Sequence, residues 1–114
     1  IHEQNKLNYE KYEIYKVKTK KLDDLLVNKK IGFIKIDVEG HEKNVLNGSL
    51  NIINQNKPNL LVEIEEKHSK EKVEDTINFI KKLGYKSYYL DRQNLMSTDN
   101  LKDFSHKNNY IFIP

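Results

Sequence analysis

"GFIKIDVEGHEKNVLNG", residues 32–48, sets a run of apolar side chains against two carboxylates, a glycine and then an amphipathic segment. Extended back to Ile31, its first half is almost unbroken in Phe33, Ile34 and Ile36, the pattern of a strand covered on both faces, as in parallel sheets. Gly40 supplies the turn that ends the strand. Over residues 41–55, Val45, Leu46, Leu50, Ile52 and Ile53 recur at three- and four-residue steps, one buried stripe on one helix. A strand that feeds a helix through a short turn is a βα unit, and it predicts an α/β fold.

Downstream the unit repeats. Pro58 breaks the helix, and "NLLVEIE", residues 59–65, is a second buried strand. Ser69 is placed to cap a helix whose Val73, Ile77, Ile80 and Leu83 share a stripe, and Gly84 stops it. "YKSYYL" and "NYIFI" predict two late strands, separated by a polar stretch, residues 91–109, that reads as a surface loop or a turn of helix. Upstream, Tyr12, Ile14, Tyr15 and Val17 suggest a strand of uneven alternation. "TKKLDDLLVNKK" then places Leu22, Leu25 and Leu26 at helical spacing behind Thr19 as a cap. Strand and helix alternate through short connections, which predicts an open, mainly parallel sheet with right-handed crossovers. Ligands of such sheets sit beyond the carboxyl ends of the strands, and two consecutive strands here end in acidic residues, "KIDVEG" and "VEIEE".

Asp37 and Glu39 share parity, so a strand continued through them projects both from one face, about 7 Å apart. Next to a helix start they would stay ionised, able to orient a hydroxyl, accept its proton or hold a cation. The same two carboxylates would serve equally as caps of the helix that follows. Glu63 interrupts an apolar strand and needs a partner or a wet cleft. Lys35, in the neighbouring strand, is the expected structural partner, while Glu65 stands nearer the strand end and faces a site. His41, in the first helical turn, is a candidate base or donor, although such histidines are usually just exposed. A divalent cation held by Asp37, Glu39 and a carboxylate of the next strand is a separate reading. His2, His68 and His106 lack metal-ligand spacing. "NGS", residues 47–49, matches a glycosylation sequon, read as accidental within a helix.

The bulk composition narrows the classes. At 114 residues with 37% hydrophobic content, the chain (1–114) is expected to form a single domain with one modest core. Twenty basic against 17 acidic residues give a net charge of +3 spread along the chain, with no basic block to suggest nucleic acid. There is no cysteine, hence no disulfide and no thiolate chemistry, and the expected compartment is the cytoplasm. No apolar run reaches the roughly 18 residues of a membrane span. The four glycines are scattered, so no G-x-G-x-x-G loop or P-loop occurs, nor is there a serine-hydrolase elbow.

The stretch "IKIDVEGHEKNVLNGS" closely resembles the signature of FkbM-type methyltransferases, in which an "IK-D-EG-E--VL-G" pattern follows "T-LD-L" and precedes "P--L-VEI". "TKKLDDLL" at residues 19–26 and "PNLLVEIEE" at residues 58–66 supply the flanking parts in order. The resemblance covers residues 19–66 by motif and the remainder by element order. It implies a Rossmann-like class I fold, a mainly parallel seven-stranded sheet with one antiparallel late strand, and S-adenosylmethionine as methyl donor. Residues 31–37 would be the fourth strand and residues 58–65 the fifth. The acceptor would be a small-molecule, glycan or lipid hydroxyl, on a sugar, lipid or secondary metabolite. Asp37 and Glu39 would be catalytic, and Gly40, His41, Glu42 and Glu65 would line the acceptor side, Glu42 matching the family's second glutamate. His41 departs from the small residue usual there. The family's donor-binding loop should precede Tyr12, where only a polar segment stands. The chain therefore resembles a carboxyl-terminal half, expected to be inactive alone and to expose a sheet edge. A non-catalytic binding module on a degenerate fold is the competing expectation.

Overall fold

The computed structural model describes residues 11–66 and 72–114. In chain order the elements are α1 (Leu22–Leu25), β1 (Phe33–Ile36), α2 (Glu42–Asn47), α3 (Leu50–Asn56), β2 (Asn59–Glu63), α4 (Val73–Lys82), β3 (Lys86–Asp91), β4 (Asn94–Ser97), a 3₁₀ turn (Thr98–Asn100) and β5 (Asn109–Ile113). The expected cap of α4, Ser69, lies outside the described residues.

The five strands form one sheet in the order β1-β2-β5-β3-β4. β1 and β2 pair in parallel, from Phe33 opposite Asn59 to Ile36 opposite Val62. β5 is antiparallel to both β2 and β3, and β4 is antiparallel to β3. The sheet is thus not mainly parallel as the alternating elements suggested, because neighbours give one parallel pair and three antiparallel ones. The cause is β5, which returns between β2 and β3; those two strands still run in the same direction as β1.

The core lies on one face. Ile36, Leu60, Val62, Ile64, Tyr89, Tyr110 and Phe112 point from the sheet into a cluster with Leu46, Ile53, Val73, Ile77 and Ile80 of the helices. α4 brings Val73, Ile77 and Ile80 along one stripe, each contributing about 1.5–3 kcal/mol by its burial. Among the described residues no element covers the opposite face, contrary to the two-sided burial that the apolar run predicted. Phe33 is 59% exposed, Lys35 is exposed, and Leu61, Tyr88 and Ile111 are half-buried. A short apolar strand has the same composition whether one face or two are packed, so composition alone did not separate the cases.

Three further expectations change. The stretch from Tyr12 to Val17 forms no strand; it has no regular structure and is exposed, with Ile14 and Val17 about four-fifths in solvent. The single helix expected over residues 41–55 is two helices. Ser49 donates its hydroxyl to the carbonyl of Val45 at 2.6 Å, and Asp23 reaches across from α1 to accept from the amides of Asn51 (3.1 Å) and Ile52 (3.0 Å). Asp23 thereby caps α3 from 28 residues away, while the local cap residue, Ser49, makes no side-chain cap. The polar stretch after residue 91 contains a hairpin. Arg92 and Gln93 both take positive φ (+50° and +71°), the paired left-handed geometry that a two-residue turn requires, and they join β3 to β4.

Candidate functional site

Parallel pairing ends at Ile36 and Val62, so the next residue of each strand, Asp37 and Glu63, emerges side by side at the carboxyl edge of the sheet. β5 runs the other way. Its first residue, Asn109, pairs with Glu63, and the amide of Ile64 donates to the carbonyl of Asn108 at 2.7 Å. The segment before β5 is thereby carried to the ends of β1 and β2.

Asp37, Glu39, Glu42, Glu63 and Glu65 line a cleft of about 10 Å³, room for about one water molecule. Glu63 does not pair with Lys35. Lys35 stands opposite Leu61 and is exposed, one step short of the strand end where Glu63 meets Asp37. The Glu63 carboxyl is held above the ordinary glutamate range. Loss of water is the first cause, followed by a hydrogen bond and like charge from Asp37, with Glu65 adding to both. The register that places Glu63 beside Asp37 follows from aligning the two apolar runs; treating Glu63 as a strand-interior charge concealed it.

The turn after β1 is closed from within α2. The amide of Gly40 donates to Glu42 Oε1 at 3.0 Å, and Glu42 is 3% exposed, a carboxylate almost fully enclosed. Glu39 and Gly40 both adopt positive φ, at +46° and +102°. His41 is exposed. Its amide donates to the carbonyl of Val38 at 3.4 Å, and its ring Nδ1 lies 3.5 Å from Asn44 Nδ2. The structure therefore brings Asp37, Glu39, Glu42 and Glu65 to one cleft, sets Gly40 in the turn behind it and leaves His41 at the surface. Among the described residues, no group of three or more His, Asp or Glu side chains is arranged to hold a metal ion.

Glu65 also borders a second, larger cavity of about 290 Å³, lined by Ile64, Glu65, Glu66, Val73, Phe104, Ser105, Lys107 and Asn108. Asn108 Nδ2 donates to Glu65 Oε1 at 2.9 Å across 43 residues of sequence. Phe104, Lys107 and Asn108 were missed as site residues, because only the return of β5 puts them there. Beneath them, Tyr110 donates its hydroxyl to the carbonyl of Lys107 at 2.8 Å, and burial, ahead of the charges of Glu74 and Glu66, pushes its pKa upward.

No helix among the described residues is long and apolar enough to cross a membrane. Searches of curated proteins and of solved structures found no match. The sequence model described as "Methyltransferase FkbM domain" matches residues 2–87, a span that includes the acidic ends of both β1 and β2. With three-quarters of its length matched and that motif at the carboxyl edge of its sheet, the chain belongs to the FkbM methyltransferase family.

Proposed function

We propose that this chain supplies the acceptor side of an S-adenosylmethionine-dependent O-methyltransferase. The observation that carries the reading is the meeting of Asp37, Glu39, Glu63 and Glu65 at the ends of two parallel strands within a methyltransferase-family sequence. The sheet adds support. β1, β2 and β3 run one way and β5, set between β2 and β3, runs the other, as the late part of a class I sheet does, while β4 adds a further antiparallel strand at the edge beyond β3. On this reading the face left open and the edge of β1 left unpaired among the described residues are where further strands and helices of the domain would pack.

The described residues do not fit the donor itself. The four glycines are scattered at positions 32, 40, 48 and 84, and none forms a glycine-rich cradle for its adenosine and carboxylate. No residue of this chain is therefore assigned to the donor. What the chain contributes is general-base and positioning chemistry. Asp37 accepts the proton of the acceptor hydroxyl at its carboxylate oxygen, and Glu39 orients that hydroxyl. Glu63, at the end of the neighbouring strand, lines the same cleft and positions the acceptor hydroxyl beside Asp37. Glu42 fixes the Gly40 turn, which sets the direction in which Glu39 leaves the strand.

The test is methyl transfer from labelled S-adenosylmethionine to a panel of hydroxyl acceptors, in a protein extended by its upstream coding sequence. Asp37→Asn should lower turnover by roughly 100-fold or more with an unchanged melting temperature. Turnover equal to that of the wild type removes Asp37 from the chemistry. A second reading is a non-catalytic binding module on the same fold; no donor binding and no transfer by the extended protein would select it.

A further inference from the structure

We propose that the cavity between the chain entering α1 and the face of α2 binds an organic anion, a small apolar body that carries one carboxylate or phosphate. This site stands apart from the methyltransferase reading. Glu39 and Glu42 line the carboxylate cleft, whereas His41, Asn44, Val45 and Gly48, at three- and four-residue steps along α2 and its ends, line the cavity. Residues 19–22 form the facing wall, and both walls lie within residues 11–66, all of which the structure describes.

Size and floor select the body of the ligand. The cavity holds about 760 Å³, inside the roughly 300–1,000 Å³ usual for small-molecule pockets, and has room for a ring with its substituents. Its floor is apolar, made by Leu22, Val45 and the aliphatic stem of Lys21. That stem lies directly over Gly48, where a Cβ would stand 3.4 Å from both Cβ and Cγ of Lys21. Lys21 therefore lays its methylenes on the protein and keeps its ammonium in solvent at the rim.

The polar rim selects the charge. Lys20 and Lys21 both line the cavity, and among the described residues no carboxylate does. The carboxylates that stand next in sequence are turned to other partners. Asp23 accepts from the amides of Asn51 and Ile52, and Glu42 accepts from the amide of Gly40 and is 3% exposed. His41 adds a donor. The side-chain nitrogen of Asn44, 3.5 Å from His41 Nδ1, can only donate, so the neutral ring accepts there and carries its proton on Nε2. The hydroxyl of Thr19 supplies a further donor. Two ammonium groups, an imidazole N–H and a hydroxyl meet the oxygens of a carboxylate or phosphate, with the hydrogen bonds from the lysines strengthened by charge. A cationic ligand meets repulsion, and a neutral one gains only the floor.

The experiment needs no methyl donor. The full chain, labelled with ¹⁵N, is titrated with benzoate and with phenyl phosphate, and separately with benzamide, benzylamine and inorganic phosphate. Amide signals of residues 19–22 and 41–48 are followed by NMR. At least one of the two organic anions should shift these signals, and comparison of the two shows which anionic group the rim prefers. Benzamide, which keeps the ring and loses the charge, and inorganic phosphate, which keeps the charge and loses the ring, should each bind about tenfold more weakly or worse. The double variant Lys20→Gln, Lys21→Met keeps the stem over Gly48 and removes both charges; it should weaken binding about tenfold or more with an unchanged melting temperature. The proposal is overturned if neither organic anion shifts these signals, if benzamide or benzylamine binds as tightly, or if the double variant binds like the wild type. It is also overturned if S-adenosylhomocysteine displaces the bound anion from these residues, since the cavity would then belong to the methyl donor.

Discussion

Glu39 occupies a backbone conformation that suits glycine or asparagine, at a cost of about 1 kcal/mol. The side chain is thereby thrown toward the same cleft as Asp37, so local strain and the proposed chemistry coincide at one residue. Glu63 shows the same tension in protonation. Its pKa is higher folded than unfolded, so its favourable contribution is fully present below the ordinary glutamate value of 4.5 and is lost as pH rises through the raised value. Glu63→Gln keeps the shape and removes the charge. The variant should melt a few degrees above the wild type at pH 8, and the gain should shrink toward pH 4; thermal unfolding by circular dichroism at the two pH values checks both the direction and the trend.

At the scale of elements, the "LDD" of the sequence motif has a structural duty. Asp23, on a four-residue helix with no buried residue, accepts two amide hydrogen bonds at the start of α3, and its own amide donates to the carbonyl of Gly48 at 2.9 Å. Asp23→Ala should cost about 1–2 kcal/mol, as loss of a helix cap does, measured by urea denaturation. Asp23→Asn, which keeps one acceptor oxygen, should recover part of that loss. Both βα units, α4 and the two late strands were legible from periodicity, because an apolar stripe at 3.6 residues or an unbroken apolar run is a local signal. The carboxylates of Asp37, Glu39 and Glu65 were legible as well, from their place at strand ends. The break at Gly48 and Ser49 was not, since the group that completes it, Asp23, lies 28 residues away. Nor was the Asn108–Glu65 contact, which depends on the direction of β5 rather than on any residue's own preference.

For the whole molecule, the described residues are less compact than their number requires. The radius of gyration is 16.0 Å, against roughly 13 Å for a compact chain of this length. The exposed, irregular segment at residues 12–20 and the exposed Phe33 on the sheet face agree with that openness. Hydrogen exchange should follow the same map. Amides of residues 12–20 should exchange almost as fast as in an unfolded chain, whereas Leu60, Val62, Tyr110 and Phe112, on the two central strands and buried, should be the slowest. Comparable protection in both groups would overturn this ranking. The order of the strands also has a consequence for synthesis. β2 and β3 never touch as neighbours; only β5 joins them, and it is the last of the three to leave the ribosome. Until residues 109–113 emerge, the nascent chain holds two separate strand pairs, each with an open inner edge. A chain interrupted before residue 109 would lack the strand that joins the two pairs and would keep both inner edges open to pairing with other chains.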